Sequence, residues 1–332
     1  MKKEKVFIFE SHSFEKPQLK QSLNRYGLEG VFIEHTLDKQ TAILARGCEA
    51  VSVFVNSHLD AETLNLLKSN GVKIVALRCA GFNHVDLEAA QSLGIVVVRV
   101  PEYSPYAVAE HAVSLLLCLN RKIHRAHHRV RDLNFSLDGF VGFDLHRKTV
   151  GVIGAGKIGQ VFIQIMKGFG CHVLYSDPEV TLSKEGVEKV SLEFLYQNSD
   201  VISLHCPLNK NTHHLISDQA FSLMKEGVIL INTGRGALID TKALISSLKK
   251  RKLGGAGLDV YEEEEEVFFS DHSNQCLEDD QLARLLTFPN VLVTSHQGFL
   301  THEALEKIAE TTVNSLSLFF SKKQIPAEVL LT

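Results

Sequence analysis

Three kinds of side chain that can do chemistry follow apolar runs in the second half of the chain. Arg235 stands between two glycines after the run VILINT, five glutamates (Glu262–Glu266) follow GLDVY, and His296 ends the run NVLVTSH. The planar fork of an arginine binds a carboxylate through two hydrogen bonds, and a histidine exchanges a proton near neutral pH. A carboxylate beside the histidine would orient its ring and favour its protonated form. These residue types can anchor an anionic substrate and move a proton, whereas a charge run alone more often marks a solvated surface.

The apolar runs before these residues belong to an alternation of short β-rich segments with helical segments. Five β-rich runs lie before residue 102 and six more between residues 149 and 296. Strands that are apolar on both faces and alternate with helices predict parallel sheets covered on both sides. A long helical stretch is expected from Ser104-Pro105 towards Arg131. The predicted fold is α/β with two Rossmann-like or flavodoxin-like parallel sheets, and the 332 residues suit two domains.

The first turn of the second series reads GAGKIG and contains Gly154, Gly156 and Gly159. It follows a predicted strand, opens an apolar helix, and precedes Asp177 by eighteen residues at the end of the next strand. This spacing is typical of a dinucleotide site, in which glycines admit a pyrophosphate and the carboxylate binds a ribose. A carboxylate there would repel a 2′-phosphate, so NAD is predicted rather than NADP. A glycine-tight turn with no ligand is the alternative. Because ligands bind beyond the carboxyl ends of parallel strands, Arg235 and His296 are expected at the same edge.

Composition and charge narrow the class of protein. The formal net charge of −4 gives no reason to expect nucleic acid or an anionic membrane as a partner. The longest apolar run, residues 112–119, is too short to span a bilayer, so a cytoplasmic protein is expected. The six cysteines show no CxxC spacing and suit buried thiols in a reducing compartment. The pairs His127-His128 and His213-His214 lack helical ligand spacing, and no metal is predicted.

The chain resembles the NAD-dependent D-2-hydroxyacid dehydrogenases over essentially its whole length. The matching stretches are LRCAGFNHVDL (77–87), VPEYSPYAVAEHAVSLLL (100–117), VGVIGAGKIG (150–159), LHCPLNKNTHHLI (204–216), ILINTGRGALID (229–240), GLDVYEEE (257–264) and NVLVTSHQGFLTHEAL (290–305). Within that family it is most similar to the fermentative D-lactate dehydrogenase branch, whose members reduce pyruvate to D-lactate.

The resemblance implies a role for individual residues. It makes Arg235 the substrate anchor, His296 the catalytic acid or base, and Glu264 the partner of His296, leaving the other four glutamates as solvated surface. It places three further residues at the substrate: Arg78, Tyr103 and Phe299. The residues that it implicates in NAD binding are Gly154, Gly156, Lys157, Ile158, Gly159, Asp177, His205, Cys206, Pro207, Thr212, Thr233, Gly234 and Asp259.

The resemblance also implies a domain organisation and an activity. Residues 1–100 and 300–332 would form a discontinuous substrate domain, residues 101–299 an NAD-binding Rossmann domain, and an active-site cleft would lie between them. A homodimer or homotetramer is expected. The predicted activity is reversible reduction of pyruvate by hydride transfer. The alternatives are a dehydrogenase for hydroxypyruvate, glyoxylate or a branched-chain 2-keto acid, and an NADH-sensing binding protein. A catalytically silent scaffold is disfavoured because all three catalytic positions are filled.

Overall fold

The computed structural model describes residues 3–264 and 267–332 and divides the chain into two compact units. One unit comprises Met1–Ser104 and Phe299–Thr332, and the other comprises Pro105–Gly298. Each unit is built on its own parallel sheet. This arrangement confirms the predicted α/β class.

The first unit contains a five-stranded sheet with the order β2-β1-β3-β4-β5, and every neighbouring pair is parallel. This is the flavodoxin-like order. The elements up to residue 98 are β1 (Lys5–Ile8), α1 (Lys16–Tyr26), β2 (Glu29–Phe32), β3 (Ala50–Val53), α2 (Ala61–Ser69), β4 (Ile74–Leu77), α3 (Leu87–Ser92) and β5 (Val96–Val98), with a 3₁₀ turn at Ala42–Ala45.

The helices of this unit begin and end at residues suited to those positions. Asp60 and Asp86 cap α2 and α3 by accepting from the backbone N–H three residues later. Gly27 ends α1 with a left-handed φ of 71°, a conformation that glycine adopts without steric cost. The helical segments that the sequence predicts between β-rich runs in the first hundred residues are thus confirmed.

The second unit contains a seven-stranded parallel sheet with the order β12-β11-β10-β9-β6-β7-β8. Its elements are α4 (Pro105–Arg121), α5 (Ile123–Arg131), β6 (Thr149–Ile153), α6 (Lys157–Gly168), β7 (His172–Ser176), β8 (Val187–Lys189), α7 (Leu192–Asn198), β9 (Val201–Leu204), α8 (Asp218–Leu223), β10 (Val228–Asn232), α9 (Thr241–Lys249), β11 (Leu253–Leu258), α10 (Asp280–Leu286) and β12 (Val291–Val293). The strand order reverses between β6 and β9, which is the switch point where doubly wound sheets bind nucleotides.

Each sheet has an apolar cluster on both faces, as expected for strands that are buried on both sides. In the second unit, α4 and α6 cover one face and α7 to α10 cover the other. In the first unit, a final helix, α11 (His302–Phe320), packs against α1 and the sheet. The hydroxyl of Thr301 caps α11 by accepting from the backbone N–H of Ala304.

The prediction of one continuous helix from Pro105 towards Arg131 is wrong, because two helices occupy this stretch. Lys122 has a left-handed φ of 52°, which divides the stretch into α4 and α5. The short edge strand β8 was also not predicted. Among the described residues, no helix combines the length and the hydropathy that crossing a membrane requires.

Candidate active site

Three neighbouring strands, β10, β11 and β12, carry the predicted catalytic residues just beyond their carboxyl ends. Arg235 lies three residues after the end of β10, Glu264 six after β11, and His296 three after β12. Because the strands are parallel and adjacent, these ends share one edge of the sheet. The predicted residues therefore come from three consecutive positions along that edge.

His296 and Glu264 form a close pair. Nδ1 of His296 lies 2.7 Å from Oε1 of Glu264, and both side chains are largely buried. The backbone N–H of Tyr261 donates to the other carboxylate oxygen at 2.8 Å. Because an ionised carboxylate only accepts hydrogen bonds, Nδ1 carries the proton in this pair. Nε2 is then the nitrogen that can exchange a proton with a bound molecule.

The rest of the glutamate run is not uniform. Glu262 accepts from Thr241 Oγ1 at 2.8 Å and lies 2.5 Å from Nε2 of His214. The expectation of a solvated surface is therefore wrong for Glu262. Glu263 is exposed, and the remaining two glutamates, at 265 and 266, lie outside the described residues.

Arg235 is positioned by a tight turn after β10. The side-chain amide of Asn232 donates to the Arg235 carbonyl at 2.9 Å and accepts from the Gly234 N–H at 3.0 Å. The guanidinium is partly exposed and donates through Nη1 to the Gly234 carbonyl at 2.8 Å. This fixed backbone with a partly exposed fork suits an anchor for a carboxylate.

Gly236 joins the arginine turn to the segment that carries Glu264. A Cβ at this position would lie 2.0 Å from the carbonyl carbon of Tyr261 and 2.4 Å from the Glu262 nitrogen. No L side chain fits at such a distance without moving one of the two backbones. The glycine that follows Arg235 is thus required for the close packing of the two segments.

Asp259, predicted only as an NAD contact, organises the segment around His296. Its carboxylate is 1% exposed and accepts from the N–H groups of Gln297 at 2.9 Å and Gly298 at 2.7 Å. The Thr294 hydroxyl donates to it at 2.5 Å, and the ring of His111 lies 3.1 Å away. Burial acts to raise the pKa of Asp259, but the hydrogen bonds from His111 and Thr294 outweigh it and hold the pKa below its usual range. The sequence reading missed His111 and Thr294; a histidine on an apolar helix gives no local signal of this contact.

The glycine-rich turn lies at the switch point between β6 and β9. Gly154 has a φ of 93°, and a Cβ there would lie 2.6 Å from the backbone of His205 and Cys206. At Gly159 a Cβ would lie 2.1 Å from the Gly154 carbonyl oxygen. At Gly156, which precedes Lys157 and Ile158 at the start of α6, a Cβ would meet no atom within 4 Å. Two glycines thus allow close packing, and the third leaves open space at a helix N-terminus, as a bound pyrophosphate needs.

Asp177 follows β7 beside this turn. Its carboxylate accepts from the N–H of Ala155 at 2.7 Å, from Val180 at 2.8 Å and from Glu179 at 2.9 Å. Burial acts to raise the pKa of Asp177, but these backbone hydrogen bonds outweigh it and hold the pKa below its usual value. An ionised carboxylate is therefore fixed next to the glycine turn, where a ribose hydroxyl would need an acceptor.

The remaining predicted NAD residues lie on two turns beside β9 and β10. Burial lowers the pKa of His205 to about 3 and raises the pKa of the Cys206 thiol to about 11, so both are neutral at pH 7. Thr212 closes the following turn by donating to the Pro207 carbonyl at 2.6 Å. Within the described part of the chain, the buried hydroxyl of Thr233 has no hydrogen-bond partner. A buried polar atom without a partner is costly, so this hydroxyl fits a bound ligand.

Arg78, predicted at the substrate, is wholly buried in the first unit. Its guanidinium makes two 2.9 Å hydrogen bonds to the carboxylate of Glu15 and donates to the carbonyls of Phe9 and Glu10, also at 2.9 Å. It is 0% exposed. In this arrangement the donors of Arg78 are used inside the protein. This geometry favours a structural role, fixing the chain after β1, over direct contact with substrate.

The other two predicted substrate residues, Tyr103 and Phe299, belong to an aromatic cluster in the same unit. Ring centroids lie 6.3 Å apart between Tyr103 and Phe299, 5.9 Å between Phe54 and Phe299, and 6.2 Å between Phe14 and Phe299. His12 stacks on Phe14 at 5.1 Å. The sequence reading missed Phe14, Phe54 and His12, because aromatic residues near strand ends resemble ordinary core residues.

Comparisons with known proteins identify the family of the chain. Residues 113–298 match the model of the D-isomer specific 2-hydroxyacid dehydrogenase NAD-binding domain. The chain is 49% identical to D-lactate dehydrogenase of Escherichia coli strain K12, over 98% of this chain and all of that protein. The chain belongs to the D-isomer specific 2-hydroxyacid dehydrogenase family, and it is an NAD-dependent enzyme of that family.

Two solved structures show how far the fold is shared. The pyruvate reductase of Chlamydomonas reinhardtii superposes with a TM-score of 0.92 at 42% identity, covering 97% of this chain and 98% of that chain. D-lactate dehydrogenase from Aquifex aeolicus, complexed with NAD and lactic acid, has a TM-score of 0.83 at 35% identity and covers 96% of both chains. The predictions of family, fold and cofactor are thus confirmed.

Proposed function

We propose that this enzyme reduces pyruvate to D-lactate with NADH and catalyses the reverse reaction with NAD. The observation that carries the proposal is the 2.7 Å His296–Glu264 pair at the sheet edge that also carries Arg235. Relatives named D-lactate dehydrogenase, one of them in complex with NAD and lactic acid, support pyruvate and lactate as the substrate pair.

Each residue of the edge has one task in this proposal. Arg235 binds the substrate carboxylate through its planar fork. His296 donates the Nε2 proton to the carbonyl oxygen as the alkoxide develops, and Glu264 stabilises the imidazolium before that transfer. Bound NADH supplies the hydride. In the oxidative direction His296 is the base that takes the hydroxyl proton.

We further propose which residues hold NAD and which shape the substrate pocket. The open space at Gly156, the ionised Asp177 and the buried Thr233 hydroxyl support NAD binding by the unit Pro105–Gly298. Phe299 follows His296 by three residues and is packed among aromatic rings, which supports a role in limiting the size of the substrate side chain. The first unit is then the substrate domain.

The test is NADH oxidation by the purified enzyme with a panel of 2-keto acids, with NADPH as the comparison. Fast turnover of pyruvate, a D-lactate product by chiral analysis, and strong preference for NADH are expected. If hydroxypyruvate, glyoxylate or a branched-chain keto acid were much the better substrate, the pyruvate assignment would fall while the acid–base mechanism stood. Tight NADH binding without turnover of any keto acid would favour the sensor alternative.

We also propose that the enzyme is a homodimer or homotetramer. Large apolar side chains are exposed after α5: Leu133 is 78% exposed, Leu137 83% and Val141 85%. Such exposure is typical of a surface that another chain covers. Light scattering coupled to gel filtration should give two or four times the 36.9 kDa chain mass, and a monomer mass would contradict the proposal.

A further inference from the structure

A cluster of three metal-ligating side chains lies in the second unit, apart from the proposed catalytic residues. His213, His214 and Glu262 each offer one ligand atom, and these atoms all lie within 4.8 Å of one another. The two imidazole rings stack with centroids 3.9 Å apart, and Nε2 of His214 lies 2.5 Å from Oε1 of Glu262. Among the residues that the structure describes, this is the one group of its kind.

Two of the three ligands are held in place by the fold. The second carboxylate oxygen of Glu262 accepts from Thr241 Oγ1 at 2.8 Å and from the Thr241 N–H at 3.3 Å. The N–H of His214 donates to the Ala237 carbonyl at 2.8 Å, and its φ is 50°. The cluster thus combines a fixed carboxylate with a fixed imidazole and one exposed imidazole, that of His213.

We propose that His213, His214 and Glu262 bind a divalent transition-metal ion, for which Zn²⁺ is the best fit. Two imidazoles and one carboxylate are a ligand set typical of Zn²⁺, whereas Ca²⁺ and Mg²⁺ prefer oxygen ligands. Tetrahedral Zn²⁺ with bonds of about 2.0–2.1 Å separates its ligand atoms by about 3.4 Å. Rotation of the exposed His213 ring would bring its nitrogen the remaining distance, of at most about 1.4 Å. Water would complete the coordination.

The position of this cluster gives metal binding a consequence for turnover. Glu262 is two residues before Glu264, and its backbone nitrogen packs directly against Gly236, the residue after Arg235. A metal ion would replace the His214–Glu262 hydrogen bond and pull on the segment that positions both proposed catalytic groups. Zn²⁺ therefore inhibits the enzyme by binding outside the substrate site. This effect on turnover rests on the proposed function, whereas metal binding itself does not.

The binding test is calorimetric titration of the purified full-length enzyme with ZnCl₂, after removal of bound metals with a chelator. Cys276 is an exposed thiol and a competing ligand, so all proteins carry Cys276→Ser. One equivalent should bind with a Kd on the order of micromolar. His213→Ala and Glu262→Gln should each weaken binding by about tenfold or more. The matched control is His127→Ala, because His127 and His128 are also adjacent but have ring centroids 5.9 Å apart and lie outside the cluster.

The possible results distinguish Zn²⁺ binding at this cluster from inhibition of turnover by the bound ion. Absence of Zn²⁺ binding, or equally tight binding by His213→Ala and Glu262→Gln, would overturn the site. Loss of binding in His127→Ala would also overturn it, since the ligands would then lie elsewhere. The second measurement is inhibition of NADH oxidation by ZnCl₂, which His213→Ala should escape while keeping its metal-free rate. Undiminished turnover by enzyme with Zn²⁺ bound would overturn the inhibition.

Discussion

Neutralising Glu264 tests the acid–base assignment most directly. Glu264→Gln keeps the size of the side chain but replaces the carboxylate that lies 2.7 Å from His296 Nδ1. A hydrogen bond to a charged group contributes about 1.5–3 kcal/mol, and each 1.36 kcal/mol is about tenfold in rate. If that interaction stabilises the imidazolium during catalysis, kcat/KM for pyruvate should fall by about 10- to 150-fold.

The matched control for this change is Glu263→Gln. Glu263 is the next residue in the chain and is exposed, so the variant removes the same charge at nearly the same place. Its effect is screened by water and salt over about 8–10 Å, and kcat/KM should change by less than about twofold. Both variants are assayed by NADH oxidation at varied pyruvate concentration between about pH 6 and pH 9. Equal losses in both variants, or a Glu264→Gln enzyme within twofold of wild type at every pH, would refute the assignment.

Three further predictions follow from the geometry. Arg235→Lys keeps the charge but loses the fork, so the KM for pyruvate should rise and kcat should fall, and steady-state kinetics showing neither change would refute the anchor. Glu15→Gln leaves the wholly buried Arg78 without its partner carboxylate, and urea unfolding should show a loss of about 3–5 kcal/mol, whereas Glu34→Gln, in an exposed ion pair, should leave the free energy of unfolding nearly unchanged. His205 binds a proton below about pH 6.5 when unfolded but only near pH 3 when folded, so between these values the unfolded chain binds more protons. The free energy of unfolding should therefore fall by up to about 2 kcal/mol between pH 7 and pH 5, and His205→Gln should remove that part of the slope.

The elements that sequence reasoning located are those with a local signal. The strand before Gly154 and the helix after Gly159 were predicted because an apolar run meets a glycine turn and a second apolar stretch follows it. The break between α4 and α5 was not predicted, because nothing in the sequence around Lys122 indicates that this residue adopts a left-handed conformation. That conformation depends on packing around the residue, which a local pattern does not contain.

The same distinction explains the site residues. The placement of Arg235 and His296 at strand ends was predicted from the topology of a parallel sheet. The choice of Glu264 among five glutamates came from the family resemblance. The burial of Arg78 could not be foreseen, because a charged residue at a strand end is typical of a ligand contact. Its partner Glu15 is 63 residues away in sequence and has no motif that links the two. Long-range pairs of this kind are visible only in the folded protein.

Asp259 shows how the fold holds the proposed catalytic histidine. The Asp259 carbonyl oxygen accepts from the His296 N–H at 2.7 Å, while its carboxylate accepts from the N–H groups of Gln297 and Gly298. The backbone on both sides of the His296 side chain is thus bound to one residue at the end of β11. This matters because His296 has a left-handed φ of 49°, which an unsupported histidine rarely adopts. His111 stabilises the buried carboxylate from helix α4. The position of His296 therefore depends on a contact between Asp259 and His111 that joins β11 to α4, and Glu264 then orients a ring whose backbone is already fixed.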